Sequence, residues 1–378
     1  MRFLHTADWH LGKRLHDFPL HEVQREVIAG LIALVADSRP DAVLLAGDVF
    51  DTQVPHISAL ELWEAAVDGI VAELGVPLVV IPGNHDHAER LSVHRGLASR
   101  AGLHFINSLK SCEQPVVIAG VEFYGVPFHK PIHVNSVFRD ERPAIGDFDY
   151  AKAMGYVLDR VRLKRSAGTP AVLLAHAFVE GVDKEPDGED AIQVGGAGGI
   201  PLSTFAGFDY VALGHIHGGR RLGEGHVYYS GSPYPYSFSE AGQTKSAQLV
   251  EVDEQGRVVE LERLELSASR GVRRIEGLTF ADVLKGAEGS TPAQRDDYTL
   301  VRVSDTDPID NALARLREWY PHAVLEQPAI DIEQQDASLE GDYKTLVPED
   351  AFRQFYEYTF GQPLSELEEE ILREAHAE

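Results

Sequence analysis

Five times along this 378-residue chain, a short unbroken apolar run ends on a side chain able to bind a metal. Arg2-Phe3-Leu4-His5-Thr6-Ala7 leads to Asp8, Ala42-Val43-Leu44-Leu45-Ala46-Gly47 to Asp48, and Leu78-Val79-Val80-Ile81-Pro82-Gly83 to Asn84. Ala171-Val172-Leu173-Leu174-Ala175 leads to His176, and Tyr210-Val211-Ala212-Leu213-Gly214 to His215. Runs this short and uniformly apolar read as strands buried on both faces. Helical spacing fills the intervals between the first three. Val23, Val27, Leu31 and Leu34 mark one helix, and Leu60, Val67, Ile70, Val71 and Leu74 another. Strand, helix, strand, helix, strand predicts parallel βαβ units, whose ligands gather at the carboxyl ends of the strands. Five distant segments then converge on one crevice.

The character changes further on. Val116-Val117-Ile118, a turn at Ala119-Gly120, and Val121-Glu122-Phe123-Tyr124 predict a hairpin; Val227 to Ser230 and Ala247 to Val252 are β-rich. The fold class is therefore α/β, a mixed-sheet sandwich. Glu180 to Thr204 is polar and contains Gly195-Gly196-Ala197-Gly198-Gly199, but it does not directly follow an apolar strand. It reads as a mobile surface loop, not a dinucleotide site. No Gly-x-x-x-x-Gly-Lys-Ser/Thr occurs, so the chain has no P-loop. After about Ser269, a strand at Tyr298–Val303, a helix from Ile309 to Trp319 and a strand at Ala323–Glu326 predict a small α/β module. In the tail, Phe352, Phe355, Tyr356 and Phe360 form an aromatic stripe that Gly361 and Pro363 break. Ser365 with Glu368 then makes a capping box ahead of Leu367, Ile371 and Leu372. The stripe fits either core packing or a partner-binding face.

The metal-capable positions group as Asp8-x-His10, Gly47-Asp48-x-x-Asp51, Gly83-Asn84-His85-Asp86, His176 and Gly214-His215-x-His217. Oxygen and imidazole donors without sulfur suit Mn²⁺, Fe²⁺ or Zn²⁺. Glycine before a ligand lets the backbone turn sharply toward the crevice. One strand-end histidine is ordinarily a packing or capping residue; five such endings in one chain argue for a site. The single cysteine, Cys112, excludes an internal disulfide or a thiolate cluster. No apolar run approaches the roughly 20 residues of a membrane span, and no signal-peptide pattern precedes Asp8, so the expected location is the cytoplasm. The net charge of −26 argues against a nucleic-acid partner, but it is uneven. Residues 331–378 hold 14 acidic and 3 basic side chains, a net of −11, whereas residues 1–110 hold 14 and 9, a net of −5.

In this order the motifs resemble the calcineurin-like metallophosphoesterase superfamily. Met1 to Gly12, Gly47-Asp48-Val49-Phe50-Asp51-Thr52, Ala212 to His217 and Ser230-Gly231-Ser232-Pro233 further resemble its bacterial DNA nuclease subunits, over about the first 250 residues. The resemblance implies two divalent metal ions, Mn²⁺ in first place. One would take Asp8, His10, Asp48 and His217, and the other Asp48, Asn84, His176 and His215, with Asp48 bridging. It implies that His85 acts on the phosphate, with a hydrogen-bonding role behind the ligands as the alternative. Asp86 is expected to orient His85, and Asp51, where relatives carry histidine, to stand behind the ligands. Lys13, Arg14, Arg220 and Arg221 are candidate DNA phosphate contacts. It also implies DNA as substrate, a homodimer, and a coiled-coil ATPase partner that supplies ATP dependence. The expected division is a nuclease domain over 1–268, a DNA-capping domain over 269–340 and a partner-binding helical segment over 341–378. Related protein phosphatases read Gly-Asp-x-x-Asp-Arg-Gly and Gly-Asn-His-Glu, where this chain has Thr52-Gln53 and Asp86. A non-catalytic scaffold, the remaining alternative, predicts lost ligands, yet all seven are present.

Overall fold

The computed structural model describes residues 1–141, 149–182, 199–328, 348–361, 363–365, 368–369 and 372. Two compact units divide the chain. One comprises Met1–Val303 with Asp310–Glu326, the other Ser304–Ile309 with Gln327–Glu378.

Every predicted apolar run is a strand, and two six-stranded sheets result. In the first sheet Arg2–Thr6 pairs parallel with Ala42–Ala46, which continues through Leu78–Ile81 to Leu103–Phe105. On its other side Arg2–Thr6 pairs antiparallel with Lys245–Val252, which pairs with Val258–Leu266. In the second sheet Val121–Val126, Ala171–His176, Tyr210–Gly214 and Val227–Tyr229 run parallel. Antiparallel strands flank them: Val116–Ile118, which makes the predicted hairpin, and Arg220–Leu222.

The uninterrupted apolar runs follow from this layering. Phe3, Leu44, Val79 and Ile81 pack against Phe123, Val172, Leu174 and Tyr210 between the sheets. The Phe3 ring meets Phe123 at 5.9 Å and Tyr210 at 5.3 Å, both edge to face. Alternate residues of the first sheet, Leu4, Val43, Leu45 and Val80, face outward onto helices His21–Ser38 and Ile57–Val67. On the second sheet, Leu173, Ala175, Val211 and Leu213 face helix Tyr150–Lys164. Neither side of a central strand reaches water, so the runs are mainly apolar, with His5 and Thr6 as buried polar exceptions on the first strand. The mixed-sheet α/β sandwich expected from the sequence is the fold observed.

Two helices differ from expectation. The one marked by Leu60 to Leu74 is α-helical only to Val67 and continues as a π-helical stretch, Asp68–Glu73. The helix expected over Ile309 to Trp319 is confined to Ala312–Arg317, because Asn311 adopts a left-handed φ of 49° at its start. In chain order it lies between the last two strands of a three-stranded parallel sheet of Val272–Leu278, Tyr298–Val303 and Ala323–Glu326. That sheet shares a core with the first part of the chain, in which Val272, Tyr298 and Leu300 meet Leu15, Leu20, Val23 and Tyr234.

In the second unit, helix Pro348–Phe360 ends where predicted, at Gly361 with a φ of 67°. Ser365 and Glu368 form the capping box, Ser365 N–H donating to Glu368 Oε2 at 2.8 Å and Glu368 N–H to Ser365 Oγ at 3.4 Å. Phe352 and Phe355 are exposed. Leu367, Ile371 and most of the Gly195–Gly199 stretch lie outside the described residues. No helix among the described residues is long and apolar enough to cross a membrane.

Candidate metal centre

Asp8 and His10 follow strand Arg2–Thr6, Asp48 follows Ala42–Ala46, and Asn84 follows Leu78–Ile81. His176 ends its own strand, and His215 and His217 follow Tyr210–Gly214. The turns lock together through the backbone: Asp8 N–H donates to Gly47 O and His10 N–H to Asp48 O, each at 3.0 Å. Asp8, His10, Asp48 and His215 have positive φ angles of 55°, 42°, 49° and 107°. Such conformations cost a non-glycine residue about 1–3 kcal/mol and persist where the surroundings over-determine them, typically at functional sites.

The glycines before the ligands answer mainly to space. A Cβ on Gly47 would lie 2.1 Å from His176 Nδ1, on Gly83 2.1 Å from Asp48 Oδ1, and on Gly214 1.9 Å from Ala46 O. Only Gly47 among them also needs a positive φ, of 95°. The sharp turn expected at Gly83 and Gly214 is thus a close approach of chain segments instead.

All seven predicted ligands come together. Hydrogen bonds assign the imidazole tautomers. His176 Nδ1–H donates to the Ala46 carbonyl at 2.8 Å and His217 Nδ1–H to Glu240 Oε1 at 3.0 Å, while His10 Nδ1 lies 3.4 Å from Asp51 Oδ1. In their neutral forms His176 and His217 then present Nε2 as the acceptor atom. His10 Nε2 and His217 Nε2 are 3.1 Å apart. His176 Nε2 is 2.9 Å from Asn84 Oδ1, which is itself 3.1 Å from His215 Nδ1. Asp48 Oδ2 stands between the two clusters, 3.7 Å from His10 Nε2 and 3.3 Å from His176 Nε2. Asp8 accepts His215 N–H with both oxygens, at 2.9 and 3.1 Å. Oxygen and imidazole atoms gathered at these distances without sulfur are a donor set that fits divalent metal. Asp8, Asp48 and His176 form one metal-capable group, and His10, Asp51 and His85 another.

Ionisation agrees. Burial pushes the Asp8 carboxyl up to about 7, only partly countered by His176 and His217. Burial alone would hold His176 down, but Asp48 and Asp8 outweigh it and raise it to about 10. A divalent cation held by these residues would take over that charge balance and favour His176 as the neutral ring.

His85 occupies the rim, its ring 4.9 Å from His10 and its Nδ1 2.6 Å from the Asp51 carbonyl oxygen. The expectation that Asp86 orients His85 is corrected here. Asp86 instead accepts the N–H groups of Val49, Phe50 and Gly83 at 3.1, 3.0 and 2.9 Å, knitting two ligand loops together. Burial, then the nearby Asp48, raises its carboxyl to about 6. Asp51 joins Lys13 to the centre, accepting Lys13 Nζ at 2.8 Å. Burial works against its charge, but His10 and Lys13 prevail and hold it below the usual carboxylate range. Arg14 lies outside this cluster, bonded to the Asp17 carbonyl. Arg220 and Arg221 hold the carbonyls of Gly218 and Gly225 at 3.1 and 3.0 Å.

Three supports escaped sequence reasoning. Glu240 fixes His217 and is itself bound by Lys245 Nζ at 2.5 Å. Gln24 donates to the His10 carbonyl at 2.7 Å and accepts Gly12 N–H at 2.9 Å. Tyr236 OH donates to the Trp9 carbonyl. Each comes from a segment whose local pattern reads as an ordinary helix or loop.

A fold with strand ends converging on buried carboxylates and imidazoles defines a class, and residues 1–219 match the calcineurin-like phosphoesterase family, to which the chain belongs. It is a metal-dependent phosphoesterase. Residues 268–360 match a second family, described as the type 5 capsule protein repressor C-terminal domain. Over 373 residues the chain is 26% identical to the D subunit of nuclease SbcCD from Staphylococcus epidermidis, covering 99% of this chain and 97% of that one. Among solved structures, a dimetal phosphatase from Danio rerio aligns with a TM-score of 0.38 at 14% identity, over 71% of this chain and 99% of its own. A 5'-nucleotidase precursor from Thermus thermophilus aligns with 0.37 at 16% identity, over 71% and 54%.

Proposed function

We propose that this chain is the nuclease component of an SbcCD-type complex, which hydrolyses DNA phosphodiester bonds as a double-strand exonuclease and a single-strand or hairpin endonuclease. The observation that carries the reading is the placement of Asp48 Oδ2 between the His10 and His176 nitrogens, where one carboxylate can serve two cations. One ion would be held by Asp8, His10, Asp48 and His217, the other by Asp48, Asn84, His176 and His215, and Mn²⁺ suits these donors. When bound, two such cations orient a phosphodiester, polarise it and supply a nucleophilic water. His85, steadied by the bond from its Nδ1–H to the Asp51 carbonyl, would as the imidazolium donate an Nε2–H to the developing charge or the leaving oxygen. Lys13, Arg14, Arg220 and Arg221 would meet the flanking phosphates.

Residues 1–268 would form the nuclease domain, 269–340 a DNA cap, and 341–378 the docking segment for the SbcC ATPase, with the chain acting as a cytoplasmic homodimer on the nucleoid. Asp48→Asn and His85→Gln test the chemistry on linear duplex DNA with Mn²⁺. Both are expected to lose at least about a hundredfold in rate, and His85→Gln to retain its metal. Undiminished cleavage by Asp48→Asn would refute the reading.

A further inference from the structure

A cavity of about 430 Å³ opens beside the metal centre and shares Asn84 with it. Its far wall is built by segments the chemistry does not use, among them Asn107, Phe128, His129, Lys130 and His133. Phe128 is half-buried, and its ring meets His176 edge-on at 6.3 Å, so an aromatic surface stands directly next to a metal ligand.

The polar groups in this wall are fixed and specific. His129 is buried, with Nδ1 3.0 Å from the Pro127 carbonyl. That bond assigns the proton to Nδ1 and leaves Nε2 as an acceptor, with no partner among the described residues. Burial also lowers the pKa of His129, which keeps the ring neutral. Asn107 is buried too, and its Nδ2 donates to Ser92 Oγ at 2.8 Å, leaving Oδ1 as a second acceptor. The acid in the lining, Asp86, has its oxygens taken up by three backbone N–H groups. Lys130 is exposed.

Concave sites of roughly 300–1,000 Å³ with few fixed polar groups are the usual form of a small-ligand pocket. A ligand that fits would carry a flat ring to lie on Phe128, donors to meet two neutral acceptors, and a phosphate able to reach the candidate metal ligands. We infer that the cavity is a nucleoside subsite, holding the sugar and base of the nucleotide joined to the scissile phosphate. This rests on the proposed phosphodiesterase reading of the centre and adds what the metals alone cannot supply, a preference for nucleotides over other diesters.

Two diesters with the same leaving group separate the two ideas: the p-nitrophenyl ester of thymidine 5'-monophosphate, and methyl p-nitrophenyl phosphate. With Mn²⁺ the wild type should show a kcat/KM for the thymidine ester at least about tenfold above that for the methyl ester, the scale of base–aromatic stacking. Phe128→Ala should reduce that ratio by about ten- to a hundredfold, and Phe128→Tyr should restore it. Calorimetry gives a readout apart from turnover: thymidine 5'-monophosphate should bind the Mn²⁺-loaded protein more tightly than inorganic phosphate does, and Phe128→Ala should narrow the gap. If the wild type cleaves neither ester, the phosphodiesterase reading fails and the subsite falls with it. If it cleaves both, but with equal kcat/KM or with a ratio that survives Phe128→Ala, the subsite alone is wrong.

Discussion

Behind His217, Glu240 and Lys245 form an ion pair whose side chains are only 1% and 4% exposed, with Nζ 2.5 Å from Oε2. Burial opposes the Glu240 charge, yet His217 and Lys245 hold its carboxyl far below the usual range. Removing one member of such a pair leaves the other charge buried and uncompensated, which costs about 3–5 kcal/mol. A carboxylate behind a ligating histidine also sets its tautomer, and its loss lowers metal affinity by roughly 10–100-fold. Glu240→Gln is therefore expected to reduce Mn²⁺ affinity on that scale and to lower the thermal midpoint, both readable by titration and calorimetry. His5 gives a second residue-scale test. It is buried between Tyr210 OH and the Leu213 carbonyl, and burial lowers its pKa to about 3 from the 6.5 of an exposed histidine. The unfolded chain takes up a proton below pH 6.5 that the folded chain refuses until about pH 3. Stability contributed by this residue is thus intact above pH 6.5 and falls as pH drops through that window, by about 1.4 kcal/mol at one unit below 6.5. Urea denaturation of His5→Gln should show a pH slope between 7.5 and 5.5 that is flatter by about that amount. Candidate ligands such as Asp8 and His176 were legible because each ends an apolar run. Glu240, Gln24 and His5 were not, because a buried polar residue is marked by its tertiary partner and by nothing in its own neighbourhood.

At the scale of elements, the strands were readable almost to the residue, since burial on both faces keeps polar interruptions few. What stayed hidden was which strands share a sheet. Val227–Tyr229 and Lys245–Val252 look alike in sequence, yet the first extends the second sheet in parallel and the other returns to the first sheet antiparallel. Glycine placement shows how tightly the two sheets meet at the site. Gly214 faces Ala46 O from the opposite sheet, and an added Cβ would sit 1.9 Å from it. Gly155, on helix Tyr150–Lys164, would place its Cβ no nearer than 4.0 Å from Thr204 Cγ2. The two substitutions to alanine should therefore act in opposite directions. Gly214→Ala is expected to destabilise by at least about 1–3 kcal/mol, with loss of bound metal as the ligand loops separate. Gly155→Ala should stabilise by about 0.4–1 kcal/mol. Denaturation midpoints together with metal analysis of the purified variants check both.

For the molecule as a whole, the charge of −26 has to be reconciled with the proposed polyanionic substrate. Part of the answer is where the charge lies. Two units organise the chain, and the acidic 331–378 stretch with its net of −11 falls in the second, whereas the metal centre is built wholly within the first. Deleting residues 346–378 removes 9 acidic and 2 basic side chains and takes the net charge from −26 to −19. Every ligand and every support named for them lies before residue 246, so Mn²⁺-dependent cleavage should persist in the truncated chain. Its DNA affinity at low salt should be equal or higher, because less like charge opposes the phosphate backbone. The exposed Phe352 and Phe355 go with the deletion, and they are the large apolar side chains that an ATPase partner would cover. Pull-down with SbcC should accordingly fail for the truncated chain while nuclease activity survives. Retained capture of SbcC would move the docking surface elsewhere, and loss of cleavage along with capture would mean that the tail supports the catalytic unit itself.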